Sequence, residues 1–92
     1  MLRSVFMKGI AAAAIESLEA ARVAGVEERV RADIAGLLGE SLLERLLSGS
    51  RTHAARRVDE MKAAAVYLEE LGVEPRIASA AAAWLEQLRV TP

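Results

Sequence analysis

Cysteine is absent from this chain of 92 residues. No disulfide staples it and no thiolate binds a metal, which fits a reducing, cytoplasmic setting. Histidine occurs once, at His53, so a histidine metal cluster is excluded. The aromatics are one Phe, one Tyr and one Trp (Phe6, Tyr67 and Trp84), too few to fill a core with rings. Neither sign of charge dominates: 12 Lys and Arg against 13 Asp and Glu give −1. Nucleic-acid binders carry a basic excess or stripe, so a nucleic-acid partner is not expected. No apolar run reaches the ~18 residues of a membrane span, and no membrane partner is expected either. Arg3 ahead of a short apolar stretch imitates a signal peptide. Lys8 interrupts that stretch, and Glu16 and Glu19 follow without a cleavage region.

What the chain does contain is alanine and leucine. Hydrophobic residues make up 53%, above the ~45–50% usual for globular proteins. That is more apolar surface than one small core requires, and it points to a partner surface. With no strand-like alternation, glycine and proline divide the chain into helices. The pattern predicts an all-α bundle of about five helices in a single domain, 1–92.

The first helix is expected from Leu2 to Ala24, ending at Gly25 as a left-handed cap. Ser4, Lys8, Glu19 and Arg22, with Ile15 among them, fall on one narrow side. Leu2, Phe6, Ile10, Ala13, Ala14, Ser17 and Ala21 form a broad apolar side opposite. Gly9 and Ala11–Ala14 leave room for another backbone. A second helix spans Val26 to Leu38, with Val30, Ile34, Leu37 and Leu38 as its stripe. A short third helix covers Glu40 to Leu47, with Leu42, Leu43, Leu46 and Leu47 inward. Ser48-Gly49-Ser50 reads as the clearest loop, with Ser50 or Thr52 capping a fourth helix that runs to Leu71. Its stripe is Ala54 or Ala55, Val58, Met61, Ala65, Leu68 and Leu71. After Gly72, Pro75 opens a fifth helix carrying Ile77, Ala80, Ala81, Trp84, Leu85 and Leu88.

No zinc-binding His-Glu pair, phosphate-cradling glycine loop or nucleophile elbow occurs. Catalytic and metal-ligating residues are therefore expected to be absent, and His53 reads as an exposed first-turn residue of the fourth helix. Glu16, Glu19, Glu69 and Glu70 read as solvated faces or ion pairs. Arg51, Arg56 and Arg57 form a basic cluster that either pairs with Asp59 and Glu60 or receives an anion. Lys8 follows Ser4 by one turn, so hydroxyl and ammonium can meet one ligand. The plainer reading is a lysine laying its stem over apolar neighbours.

The stretch MLRSVFMKGI lacks a cap or turn and reads as the interior of a helix. Together with Ala24-Gly25-Val26, the run Ala54-Ala55-Arg56-Arg57 before Glu60-Met61, and Leu71-Gly72-Val73-Glu74-Pro75, it resembles a known family. That family is the helical C-terminal domain of the 6-phosphogluconate dehydrogenase/3-hydroxyacid dehydrogenase superfamily, in its NAD-binding phosphogluconate-dehydrogenase-like branch. The resemblance covers nearly the whole chain. It implies a substrate and dimerisation domain that closes against a Rossmann domain holding NAD or NADP. Homodimerisation, that Rossmann domain and an anionic small-molecule substrate are the partners implied.

In the family, the catalytic lysine comes immediately before the segment matching Met1. The expectation is a chain lacking that lysine and the Rossmann domain, with no cofactor of its own and inactive alone. By the same resemblance Ser4 stands where relatives place a substrate-contacting asparagine. Lys8 stands where 6-phosphogluconate dehydrogenases turn a tyrosine to the substrate phosphate. The anion-receiving reading of the basic cluster adds Arg56 as a third substrate-binding candidate. Met7 replaces a glutamate acid used in decarboxylation, which implies hydride transfer with a 3-hydroxy acid instead of 6-phosphogluconate. Asp59 lies near a second lysine of many relatives. Without a ligand, the same surplus of apolar surface suits a non-catalytic oligomerisation or protein-interaction module. A helix-turn-helix over 51–90 is disfavoured by Glu60, Glu69, Glu70, Glu74 and Glu86.

Overall fold

The computed structural model describes residues 1–91. It contains five helices: α1 Leu2–Ala24, α2 Glu27–Leu38, α3 Glu40–Thr52, α4 Ala54–Glu70 and α5 Arg76–Val90. The all-α bundle expected from the pattern is the fold. Among the described residues no helix is long and apolar enough to cross a membrane.

α1 ends as its sequence dictates. Gly25 adopts φ 78°, and the Val26 N–H reaches back to the Ala21 carbonyl at 2.9 Å. This six-to-one closure satisfies a carbonyl that the helix end leaves unpaired. Gly72 repeats it after α4, with φ 80° and Val73 N–H on the Leu68 carbonyl at 2.9 Å.

The main core lies where α1, α4 and α5 meet. Ala12, Val58, Met61, Ala64, Ala81 and Leu85 form one buried cluster, with Val5, Ala82 and Trp84 packed on it. Alanine dominates this core, so the helices approach closely. A Cβ on Gly9 would sit 2.6 Å from Cγ2 of Ile77 on α5.

That close approach corrects the orientation expected for α1. Its buried residues are Ala11, Ala12, Ala14, Leu18 and Ala21, whereas Leu2, Phe6, Ala13 and Ser17 are exposed. Ser4 and Lys8 are half-buried on the inward side. A helical wheel weighs bulk, but closely approaching backbones admit small side chains, so alanines face in and Phe6 faces out. The same correction applies to Ile77, Leu71 and Leu37, which the periodicity places inward and the structure exposes.

The expected Ser48-Gly49-Ser50 loop is also overturned, because α3 continues through it to Thr52. Leu43, Leu46 and Ser50 share one buried stripe, and the space above Gly49 is taken by Arg57 of α4. A Cβ there would lie 3.0 Å from both terminal guanidinium nitrogens. Tertiary contact outweighs the modest helix preferences of serine and glycine. The break falls instead at His53, which ends α3 and starts α4 with φ −113° and no side-chain cap. Neither Ser50 nor Thr52 caps α4.

Candidate functional site

The sequence nominates Ser4, Lys8 and Arg56. α1 sets Ser4 and Lys8 one turn apart on one stripe, next to the side of the helix that carries Val5 and Ala12, which belong to or pack on the core cluster. This holds the Lys8 stem against apolar neighbours and leaves its side chain 18% exposed. α4 sets Arg56 and Glu60 one turn apart, astride Val58, which is buried. Packing of α1 on α4 then brings the two pairs together: Lys8 Nζ lies 3.8 Å from a Glu60 carboxylate oxygen. Arg56 Nε lies 3.6 Å from the other.

The result is a partly buried edge carrying two cations and one anion, assembled from helices far apart in sequence. Both separations exceed hydrogen-bond length. The ammonium and guanidinium are attracted to Glu60 without being locked to it, and their N–H donors stay available. By contrast, Arg31 on α2 donates to Glu40 at 2.7 Å and to Glu44 at 3.2 Å, a tied pair of elements. Those two carboxylates raise the pKa of Arg31, the hydrogen bond it donates to Glu40 contributing most.

The other members of the basic cluster go elsewhere. Arg57 lies over Gly49, where its buried Nε has no hydrogen-bond partner, like the buried Oγ of Ser50. Arg51 lines an open groove of about 910 Å³ among α1, α2, α3 and α5. Sequence reasoning did not foresee that groove. Trp84 forms part of its wall, and the indole N–H donates to Glu16 at 3.0 Å. Trp84 and Glu16 are 68 positions apart, and no local pattern couples them. His53 is exposed at the α3–α4 junction.

Glu60 is the residue the sequence undervalued. Its spacing from Arg56 signals an ion pair, but the meeting with Lys8 depends on how α1 packs.

A family described as "Domain of unknown function (DUF1932)" matches residues 21–88. The match takes in the last turn of α1 and nearly all of α2 to α5, Arg56 and Glu60 included. Ser4 and Lys8 lie ahead of it. Comparison with curated proteins and with solved structures finds no match.

Proposed function

The chain belongs to the DUF1932 family, the C-terminal helical domain of 6-phosphogluconate/3-hydroxyacid dehydrogenase-like proteins, and from that premise we propose that it is a substrate-binding and dimerisation domain. Its parent activity is NAD(P)-dependent oxidation of a 3-hydroxy acid in the cytoplasm. The single observation that supports substrate binding is the convergence of Lys8 and Arg56, from α1 and α4, on the Glu60 carboxylate, with Ser4 one turn before Lys8 on α1. Two cations at such an edge suit the carboxylate of an anionic substrate, and the Ser4 hydroxyl, one turn along α1, can hydrogen-bond a substrate oxygen.

The residues present do not fit a dinucleotide. Among the described residues there is no strand, hence no strand-to-helix glycine turn to cradle a pyrophosphate. Cofactor binding is assigned to a Rossmann domain that partners this one, and the part of this chain is to hold and orient the acid. Dimerisation is supported by the apolar side chains left exposed on α1 and α5, with Phe6 65% accessible and Ile77 58%.

An NMR titration of the chain with 3-hydroxybutyrate tests the substrate reading. Shifts at Ser4, Lys8 and Arg56 are expected, and Lys8→Ala should weaken binding by about tenfold, the scale of a lost charge-assisted contact. No shift at these positions would leave the alternative, a non-catalytic oligomerisation module, which the exposed apolar residues suit equally well. Sedimentation velocity tests the shared element: a dimer is expected, and Phe6→Asp should dissociate it.

A further inference from the structure

We propose that Glu60 sets the charge of the ligand this edge accepts, making it selective for a single carboxylate over a phosphate dianion. Glu60 can act in this way only if the Lys8–Arg56 edge is an anion site, as proposed for the function.

The inference follows from a local count of charge. Lys8 and Arg56 both lie within 4 Å of the same carboxylate, at 3.8 and 3.6 Å, so these three groups together carry one net positive charge. Other charges on α4 have neighbours of their own. Arg57 covers Gly49 on α3. Lys62 acts on Glu86 of α5 and helps to hold that carboxyl below its ordinary pKa, after the larger effect of the hydrogen bond from Arg89. Asp59 acts on Arg89.

A monoanion entering beside Lys8 and Arg56 brings the local charge to zero. A dianion leaves an excess negative charge next to the Glu60 carboxylate, a repulsion that acts at contact distance, well inside the screening length of the solvent. Arg56, four residues before it on the same helix, and Lys8, from α1, each approach a different oxygen of the Glu60 carboxylate. It is a specificity-determining counter-ion: present between the cations, it discounts their combined charge from two to one.

The test is a pair of NMR titrations of the full chain, with 3-hydroxybutyrate and with inorganic phosphate, at a pH where phosphate is doubly ionised. The wild-type chain should bind 3-hydroxybutyrate at least about tenfold more tightly than phosphate, with shifts centred on Lys8 and Arg56. Glu60→Gln should abolish or reverse that ratio, chiefly by strengthening phosphate binding. Glu60→Ala, which removes the carboxylate without supplying an amide, should do the same. If both anions still bind at Lys8 and Arg56 and neither variant changes their ratio, Glu60 is a strut between α1 and α4 and the inference is overturned. If neither anion perturbs Lys8 or Arg56 in any of the three proteins, the anion site itself fails, and selectivity with it.

Discussion

α4 and α2 are both amphipathic helices of this bundle, yet they are held in different ways. α4 buries Ala54, Val58, Met61 and Ala64, and the last three lie in the cluster shared with α1 and α5. α2 buries no residue. It touches its neighbours through half-buried Val30, Ile34 and Leu38, while Leu37 stands 86% exposed. Its best-defined tie to α3 is polar, from Arg31 to Glu40 and Glu44. The difference shows that apolar content does not by itself fix a helix. α4 is anchored because it packs along the small residues of α5, whereas α2 lies over the bundle and buries no residue.

The largest expected effect breaks the comparison at its strong end. Met61 is 0% exposed, and Met61→Ala should destabilise the fold by about 2–5 kcal/mol, the range for a buried large-to-small change. Leu37→Ala should stay within ~0.5 kcal/mol, as surface changes do. Urea denaturation of both variants checks the contrast, and similar losses would erase the distinction between α4 and α2.

Next in size is the approach of α1 to α5. Gly9→Ala gains about 1 kcal/mol of helix propensity but places a methyl against the stiff β-branch of Ile77. Overpacking of this kind costs about 1–3 kcal/mol, so a net loss of about 1 kcal/mol is expected in thermal or urea unfolding. In an Ile77→Ala background the same change should become stabilising. Stabilisation in both backgrounds would mean that the helices do not approach as described.

The weak end of the comparison is sharpened by Arg31→Ala. It should loosen α2 from α3, seen as faster amide exchange in α2 alone, and the effect should fade at high salt because the pair is exposed. Faster exchange spread equally over α4 would show that α2 is part of the main core.

The smallest effect concerns pH. Hydrogen bonds from Arg22 and Arg89 hold the Glu19 and Glu86 carboxyls below their ordinary pKa. A carboxyl with a depressed folded-state pKa stabilises above its unfolded value, near 4.3, and that contribution disappears as pH falls through the folded value. Both carboxyls face solvent on surface ion pairs, so the loss on acidification should be slight. Glu19→Gln with Glu86→Gln should flatten it, as acid titrations of stability would register.

The sequence made some parts of this molecule legible and left others hidden. Gly25 and Gly72 marked the ends of α1 and α4 because left-handed backbone at a helix terminus is a local requirement. Ser48-Gly49-Ser50 misled because their preferences are weak and Arg57, arriving from the next helix, fills the space above Gly49. At the candidate site, Ser4–Lys8 was visible as a one-turn pair, and Arg56 as part of a basic cluster near Asp59 and Glu60. Their meeting was not, because periodicity placed Lys8 on the outer side of α1 and the packing turned it inward.

The sequence by itself determined the class of fold, the positions of most helix ends and the absence of thiol chemistry. These depend on residue type and near-neighbour spacing, which act within a turn or two of chain. Only the tertiary structure decided which face of α1 is buried, that α3 runs on to Thr52, and that Lys8 and Arg56 share Glu60. Those outcomes depend on how closely alanine-lined helices approach one another, and that distance is a property of the packed bundle that no single helix encodes.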